Sequence, residues 1–337
     1  MRKITHLIPF DGIGGVESAA NTMKNITFND IDFNVLYVSN NHSSGNKYLN
    51  IINYFSCIHR LINIKPDLLV VSLWRSCIVA ILYKLLRPRA KIVLFLHYPH
   101  HYHFVDMVFT RTMSYFCLSL WADSQDTLDS RVPSFSKDKS HVISFVARRL
   151  KPSENIHMSP NFIFWGRLHE QKCINRSINI FAAIHSVHKD ATYMIIGPDG
   201  GELSSLKKLV NDIGIGESVS FLGSKNLNSI IELSNKASFY LQTSKLEGMA
   251  MSVVEAMQLG LLPIVTPVGE IKNYCSNRQN SIIIKDDADA VSCILDLIKN
   301  KNLYIDMRNN AIKKWENYEI YSESFIKASN AVLDLNS

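Results

Sequence analysis

Two carboxylates eight positions apart offer the most specific chemistry in this amino-acid sequence. Glu247 lies in a polar turn after an apolar run, and Glu255 lies in the helical pattern that follows, with Gly248 freeing the backbone between them. A strand, a turn and a helix start in this order present unpaired backbone N–H groups and a positive dipole end to an anion. The two glutamates add acceptors for sugar hydroxyl groups. The segment therefore predicts a site that holds a diphosphate and a sugar together.

Two cations follow an earlier short apolar run. Arg167 and Lys172 stand in the segment WGRLHEQK. A guanidinium and an ammonium placed after a strand can stabilise the negative charge that develops on a departing diphosphate. Taken alone, the pair is better explained as two surface cations on a loop. With Glu247 and Glu255 in the same half of the chain, the diphosphate interpretation is favoured.

The glycine pair near the N-terminus has two explanations that the residues leave open. Gly14 and Gly15 follow an apolar run and open a helical pattern. Without a Cβ, their backbone can approach a phosphate closely. A tight turn that needs positive φ explains the pair equally well. The segment DGIGGVE is not the dinucleotide fingerprint G-x-G-x-x-G.

Two motifs suggest metal binding and are discounted. His100, His101 and His103 are close neighbours in the segment HYPHHYH, but successive loop residues seldom converge on one ion. Asp287 and Asp289 form a D-x-D, and acidic residues at a helix start are ordinary caps. We therefore predict no metal site and no essential divalent cation.

Short apolar runs alternate with helical patterns along the chain. In the first half they predict strands at 4–9, 33–38, 68–73, 92–96 and 141–146, and a helix at 16–25. In the second half they predict strands at 162–165, 193–196, 219–222, 239–241, 264–265 and 281–284. Helices are predicted between these strands at 177–188, 203–212, 227–233 and through Glu255, and after them at 286–299, 302–317 and 321–335. This alternation predicts two doubly wound α/β domains with a cleft at the carboxyl ends of both sheets. The polar, proline-containing stretch 147–160 is the predicted linker.

Composition and length are those of an ordinary globular protein. The chain has 337 residues, enough for two domains, with 47% apolar and 20% charged residues. Its six scattered cysteines favour reduced, mostly buried thiols in a cytosolic protein. The N-terminal residues do not include the long apolar stretch that is typical of a signal peptide, so none is predicted. Arg75 and Lys84 interrupt the apolar segment 68–86, so we predict a strand and an amphipathic helix there instead of a membrane span.

The positive charge is concentrated in the first half of the chain. Residues 1–150 contain 17 Lys and Arg against 10 Asp and Glu, whereas residues 151–337 contain 19 against 20. A basic half can attract an anionic membrane surface or a phosphorylated acceptor, or it can simply be a solvated basic surface. No basic run is interleaved with stacking aromatic residues, so nucleic-acid binding is not predicted.

Taken in order, these segments resemble the motifs of the retaining glycosyltransferases of the GT-B fold, in the GT4-type family. Residues 244–260, SKLEGMAMSVVEAMQLG, resemble its E-x7-E motif. The other matches are the glycine loop Gly14-Gly15-Val16-Glu17, the cleft histidine His97, the G-R-L-x3-K motif at Gly166-Arg167-Leu168 with Lys172, and the strand and glycine turn at 195–200 that contain Gly197. The matches keep the family's order from about residue 3 to residue 285.

The resemblance implies a role for each matching residue. The implied catalytic residues are His97, Arg167, Lys172 and Glu247. His97 faces the donor sugar, Arg167 and Lys172 contact the diphosphate, and Glu247 contacts the sugar hydroxyls. Glu255 holds the ribose hydroxyls of the nucleotide. The donor-binding residues are Gly14, Gly15, Gly166, Gly197, Gly248, Met249, Ala250, Met251 and Glu255. Met249 and Ala250 stand where the family usually has an aromatic residue and a second glycine, which leaves the donor sugar open.

The implied activity is transfer of a hexosyl or N-acetylhexosaminyl group from a nucleotide diphosphate sugar to a saccharide acceptor, with retention of configuration. The implied acceptor is lipid-linked, in surface polysaccharide assembly at the inner face of the plasma membrane. The implied domains are an acceptor-binding domain at 1–150, a nucleotide-sugar-binding domain at 151–317, and a C-terminal helix at 318–337 that returns to the first domain. A GT-B nucleotide-sugar 2-epimerase and a non-catalytic sugar-nucleotide-binding protein are the alternatives.

Overall fold

The chain forms two compact units. The computed structural model describes residues 1–12, 15–24, 26, 28, 30–39, 51–154 and 158–334. Unit 1 comprises Met1–Ala147 and Glu319–Ser337, and unit 2 comprises Arg148–Tyr318. The assignment of acceptor binding to the first domain and of donor binding to the second stays a prediction.

Unit 1 contains a parallel sheet of six strands in the order β2-β1-β3-β4-β5-β6. Its elements in chain order are β1 (Arg2–Phe10), α1 (Gly15–Lys24), β2 (Ile31–Ser39), α2 (Ile51–Ile64), β3 (Leu68–Ser72), α3 (Trp74–Leu86), β4 (Ile92–Leu96), α4 (Phe104–Phe116), β5 (Ser119–Ala122), α5 (Gln125–Arg131) and β6 (Ser140–Val142). Every residue of β3 and β4 is buried, because helices cover both faces of the sheet. The predicted strand and helix within 68–86 are confirmed as β3 and α3. In the described residues, no helix has the length and apolar character needed to cross a membrane.

The last two strands of unit 1 differ from the sequence prediction. The strand β5 was not predicted, because its residues SLWA directly continue the apolar sequence at the end of α4 without an intervening turn signal. The predicted strand 141–146 is wrong in extent, since β6 ends at Val142. Beyond it the backbone bonds to the C-terminal segment instead of a strand: Ser144 N donates to Ser324 Oγ and Val146 O accepts from Tyr321 N.

Unit 2 contains a second parallel sheet of six strands, in the order β12-β11-β10-β7-β8-β9. Its elements are β7 (Phe162–Trp165), α6 (Ile174–Val187), β8 (Tyr193–Ile196), α7 (Leu203–Ile213), β9 (Val219–Phe221), α8 (Leu227–Ser234), β10 (Phe239–Gln242), α9 (Met251–Gln258), β11 (Leu262–Val265), α10 (Ile271–Tyr274), β12 (Ile282–Ile283), α11 (Asp287–Lys299) and α12 (Lys301–Trp315). Counted from β7, this is the classic Rossmann order, and the direction of winding reverses between β7 and β10. Ligands of such sheets bind at the carboxyl ends of the strands beside this reversal.

The C-terminal helix α13 (Tyr321–Asp334) packs on unit 1, as the resemblance implied. Phe325 packs against the buried ring of His6, and Tyr321 stacks on Phe95 of β4. At its far end Asp334 pairs with Arg2 at 2.7 Å. Two doubly wound Rossmann-like domains with a returning C-terminal helix therefore confirm the predicted fold class.

Candidate functional site

Two neighbouring strands of unit 2 bring Glu247 and Lys172 together. Strands β7 and β10 pair in parallel, so the loops that follow them start at the same edge of the sheet. Lys172 ends the loop after β7, and Glu247 lies in the loop after β10. Lys172 Nζ lies 2.6 Å from Glu247 Oε1, and only 8% of the glutamate side chain is exposed. The predicted anion-binding lysine is therefore paired with the predicted sugar-binding carboxylate.

Glu247 is held by a second donor that the sequence prediction missed. Gln242, the last residue of β10, donates from Nε2 to Glu247 Oε1 at 3.1 Å. The other end of this amide, Oε1, lies 3.0 Å from Ser252 Oγ and 2.8 Å from the hydroxyl of Tyr240. An amide anchored in this way fixes the position of the carboxylate. The signal in the sequence was a glutamine at the end of a strand that is otherwise apolar.

Glu255 lies one turn before the end of α9 and is held by a different donor. Trp165, the last residue of β7, donates from Nε1 to Glu255 Oε2 at 3.0 Å. Burial raises the pKa of Glu255, while the Trp165 hydrogen bond and the positive charge of Arg148 oppose that rise. A partly buried carboxylate of this kind favours hydroxyl donors as partners.

A short chain of contacts connects the two glutamates. The hydroxyl of Tyr240, besides its contact with Gln242, lies 3.2 Å from the carbonyl oxygen of Trp165. The rings of Trp165 and Tyr240 also meet edge to face, with centroids 4.6 Å apart. Glu247 is thus held from β10 by Gln242 and Glu255 from β7 by Trp165, and Tyr240 connects these two supports, so one region of unit 2 contains both glutamates.

The start of α9 offers backbone N–H groups beside these carboxylates. Ala250 precedes the helix with φ 54° and ψ 62°, a left-handed conformation that favours glycine. None of the amides of residues 248–252 donates a hydrogen bond to another described residue. The carbonyls in the same loop are used, since Gly248 O accepts from Glu270 N and Met249 O accepts from the hydroxyl of Tyr274. The free amides and the positive end of α9 suit an anion or a sugar oxygen.

Arg167 extends into solvent from the loop after β7. Its side chain is exposed, and its guanidinium has no hydrogen-bond or ion-pair partner among the described residues. The backbone below it is fixed, because Leu168 N donates to Pro198 O at 2.9 Å and Gly200 N donates to Leu168 O at 2.8 Å. Arg167 stands two residues after Trp165. It therefore lies at the carboxyl end of β7, where Trp165 contacts Glu255.

Gly166 after β7 and Gly197 after β8 lack a side chain for different steric reasons. Gly197 has φ 150°, and a Cβ there would overlap the carbonyl oxygen of Gly166. Gly166 has φ 156° and lies close to the ring of Phe164. The loops after β7 and β8 therefore meet backbone to backbone, which supports the position of Arg167.

The remaining predicted residues belong to unit 1. Gly14 lies outside the described residues, and Gly15 is the exposed first residue of α1. His97 follows β4, and its Nε2 lies 2.7 Å from Ser72 Oγ, which in turn lies 2.8 Å from His6 Nε2. Burial lowers the pKa of His97 well below its usual value, so the ring is neutral. Its buried Nδ1 has no hydrogen-bond partner among the described residues.

The discounted histidines and aspartates have separate structural roles. His103 accepts from the backbone N–H of Asp106 and caps α4, while Arg131 lies 3.0 Å from His101 Nδ1. Asp286 caps α11 through the amides of residues 288 and 289, and Asp287 pairs with Arg176 at 2.7 Å. In the described part of the chain, no three His, Cys, Asp or Glu side chains are placed to hold a metal ion.

Half of the chain matches a known protein family. The family model "Glycosyl transferases group 1" matches residues 146–314. An uncharacterized glycosyltransferase of Haemophilus influenzae is 27% identical over 161 residues, which cover 46% of this chain and 44% of that protein. The phosphatidylinositol N-acetylglucosaminyltransferase GPI3 subunit of Saccharomyces cerevisiae is 23% identical over 153 residues, which cover 44% of this chain and 34% of that protein. The chain thus spans less than half the length of these curated relatives.

Solved structures resemble the whole chain. The lipopolysaccharide outer core galactosyltransferase WaaB, in its apo form, has a TM-score of 0.73 at 16% identity, over 98% of this chain and 99% of that one. Anabaena Alr3699/HepE in complex with UDP and glucose has a TM-score of 0.78 at 15% identity, over the same shares. At these identities the likeness establishes the fold, which is GT-B.

Proposed function

Because the chain belongs to the group 1 glycosyl transferases, we propose that it transfers a hexosyl or N-acetylhexosaminyl group from a nucleotide diphosphate sugar to a saccharide acceptor. We further propose that the anomeric configuration is retained. The observation that carries the proposal is the pair of anchored carboxylates, Glu247 and Glu255, on either side of the unused amides at the start of α9. These groups match the hydroxyls and the diphosphate of such a donor.

Each group in the site then has a task that its surroundings support. Glu255, oriented by Trp165, accepts hydrogen bonds from the ribose hydroxyls, and Glu247, oriented by Gln242, accepts them from the sugar. The amides of residues 248–252 donate to phosphate or sugar oxygens. Lys172 is already at the site, where an incoming diphosphate competes with Glu247 for its ammonium. Arg167, without a partner among the described residues, is available for the same charge.

Catalysis follows from where negative charge develops. As the glycosidic bond breaks, the leaving diphosphate gains charge that Arg167, Lys172 and the positive end of α9 stabilise. The leaving phosphate in turn accepts the proton of the attacking hydroxyl. His97, a neutral imidazole in this structure, offers a hydrogen bond to the donor sugar. We assign no covalent nucleophile and require no divalent metal, because two cations supply the positive charge.

The acceptor we propose is a lipid-linked saccharide in surface polysaccharide assembly, at the inner face of the plasma membrane. Two relatives support this by name, since one acts on lipopolysaccharide outer core and another on phosphatidylinositol. The excess of cations in residues 1–150 supports contact with an anionic surface.

A donor panel tests the proposal. UDP-, GDP- and dTDP-sugars are added to the protein, and the ligand that binds the folded state raises the Tm. With that donor, Arg167→Ala is expected to lower kcat by about 10²-fold, the order expected for one transition-state donor. Lys208→Ala, another exposed cation of unit 2, is the matched control and should leave kcat unchanged. No stabilisation by any nucleotide sugar would refute the proposal, and conversion of the donor to an epimer without acceptor would identify an epimerase.

A further inference from the structure

Helix α4 of unit 1 exposes apolar side chains on the side that faces away from the sheet. Phe104, Val108 and Tyr115 are four and seven positions apart and therefore share one side of the helix. Phe104 is 72% exposed and Tyr115 is 62% exposed. The opposite side is buried, with Met113 fully enclosed. A surface helix of this kind normally has polar residues on its outer side, so the exposed apolar row needs an explanation.

A neighbouring turn extends the row. Phe135 stacks on Tyr115, with ring centroids 4.4 Å apart and ring planes 17° apart, and it remains half exposed. Lys139 fixes this turn against the end of α4, because its Nζ donates to the carbonyls of Ser114 and Cys117 at 3.0 and 2.9 Å. Phe104, Val108, Tyr115 and Phe135 are called the α4 patch below.

The α4 patch has exposed cations among its apolar side chains. Between residues 68 and 122 the only acidic residue is Asp106, and it is buried beside Arg131 at 3.3 Å. Arg111 lies within the row, between Val108 and Tyr115. In the turn that carries Phe135, Asp138 is flanked by Lys137 and Lys139. The patch is thus complementary to an anionic surface.

We propose that the α4 patch docks unit 1 on an anionic lipid bilayer. Aromatic and aliphatic side chains on one side of a helix, with cations among them, are what an interfacial helix presents to headgroups and the upper acyl chains. A tyrosine ring suits that depth, and an arginine there can extend its guanidinium to the headgroups. Arg111 within the row and Lys137, two residues after Phe135, are both exposed, and their positive charge favours anionic headgroups as the partner. The inference deepens the proposed function, since a membrane surface is where a lipid-linked acceptor is found.

Vesicle co-sedimentation of the full chain tests this surface. Vesicles of phosphatidylcholine alone are compared with vesicles that also contain phosphatidylglycerol. The wild-type protein is expected to bind the anionic vesicles, and the double variant Phe104→Ser/Tyr115→Ser to bind at least about tenfold more weakly. Arg111→Gln should weaken binding by about fivefold. Val187→Ser removes an exposed apolar residue of unit 2 and should change nothing.

The outcomes separate this inference from the proposed function. Loss of vesicle binding in the patch variants, with unchanged Tm and unchanged stabilisation by the nucleotide-sugar donor, supports the docking surface. Equal sedimentation of wild type and patch variants overturns it. A wild-type dimer that the double variant converts to a monomer, without vesicle binding, overturns it in favour of a second copy of the chain. Vesicle binding without donor stabilisation would leave the α4 patch in place and refute the transferase proposal.

Discussion

The ion pair between Lys172 and Glu247 gives a quantitative test of the site. Lys172→Met removes the cation and leaves Glu247 with Gln242 as its remaining donor among the described residues. Removing one partner of a buried pair costs about 3–5 kcal/mol. Lys172 is 18% exposed, so water reaches its ammonium and weakens the pair; we therefore expect a loss of about 2–3 kcal/mol. For a domain of this size that loss lowers the Tm by roughly 4–12 °C.

A double-mutant cycle isolates the interaction. Glu247→Gln retains an acceptor for Gln242 and leaves an ammonium that water can solvate, so it should cost about 1 kcal/mol. The double variant no longer contains the buried, unpaired carboxylate. Its loss of unfolding free energy should therefore be about 1–2 kcal/mol smaller than the sum of the losses in the two single variants. Differential scanning calorimetry of all four proteins gives the coupling.

The same cycle on an exposed pair is the control. Lys245 and Glu170 lie 2.9 Å apart on the neighbouring loops, but both side chains are mostly in water. Their coupling should lie within error of zero. Additive effects at Lys172 and Glu247, or an unchanged Tm for Lys172→Met, would refute the reasoning. The double variant, although less destabilised than the sum of its two substitutions, should still fail to bind the donor.

Three further substitutions test other parts of the site. Ala250→Gly should raise stability by about 0.5–1 kcal/mol in urea unfolding, because glycine adopts the left-handed conformation freely; a loss would contradict the backbone geometry. Glu255→Gln should raise the Tm at pH 7.5. Burial raises the pKa of this carboxyl, so at that pH the folded protein contains a charged group in surroundings that disfavour the charge. That gain should disappear as the pH falls through the raised pKa of the folded state and below the usual value of 4.5, because the carboxyl is then protonated in both the folded and the unfolded protein. Gly197→Ala should destabilise far more than Gly201→Ala: both have positive φ, but a Cβ meets backbone only at Gly197.

Much of the fold was visible in the sequence because it depends on local patterns. Apolar runs of four to six residues separated by helical periodicity predicted most strands of both sheets, and the parallel arrangement followed from the alternation. The strand β5 was missed because its apolar residues directly continue the apolar sequence at the end of α4, so that no turn residues separate the helix from the strand. The extent of β6 escaped because its end is set by α13, which is distant in the sequence.

The charged residues of the candidate site were selected from the sequence, but the residues that support them were not. Glu247, Glu255 and Lys172 were identified by type and spacing. Gln242 and Trp165, which orient the two glutamates, were not, because each ends an apolar strand and becomes a partner only when β7 and β10 pair. Residue separations of 75 and 90 along the chain, for the pairs Lys172–Glu247 and Trp165–Glu255, leave no local signal.

The supports of the unit 1 residues were equally hidden. His97 was selected because it resembles the family's cleft histidine, but its contact with Ser72 and the neighbouring His6 comes from the pairing of β1, β3 and β4. Burial lowers the pKa of His6 to about 3, so this part of the network is also neutral. A sequence alone does not show which polar residues of three separate strands share one buried position.

Isothermal titration calorimetry with nucleoside diphosphates tests the central claim most directly. UDP, GDP and dTDP are titrated into wild type, Glu255→Ala and Glu217→Ala. We expect that one diphosphate binds the wild type and that Glu217→Ala binds it equally well. Glu255→Ala should lower the affinity for that diphosphate by at least about tenfold, because a charged hydrogen-bond acceptor is lost. Equal affinity of Glu255→Ala and wild type for that diphosphate would contradict the placement of the nucleotide in unit 2.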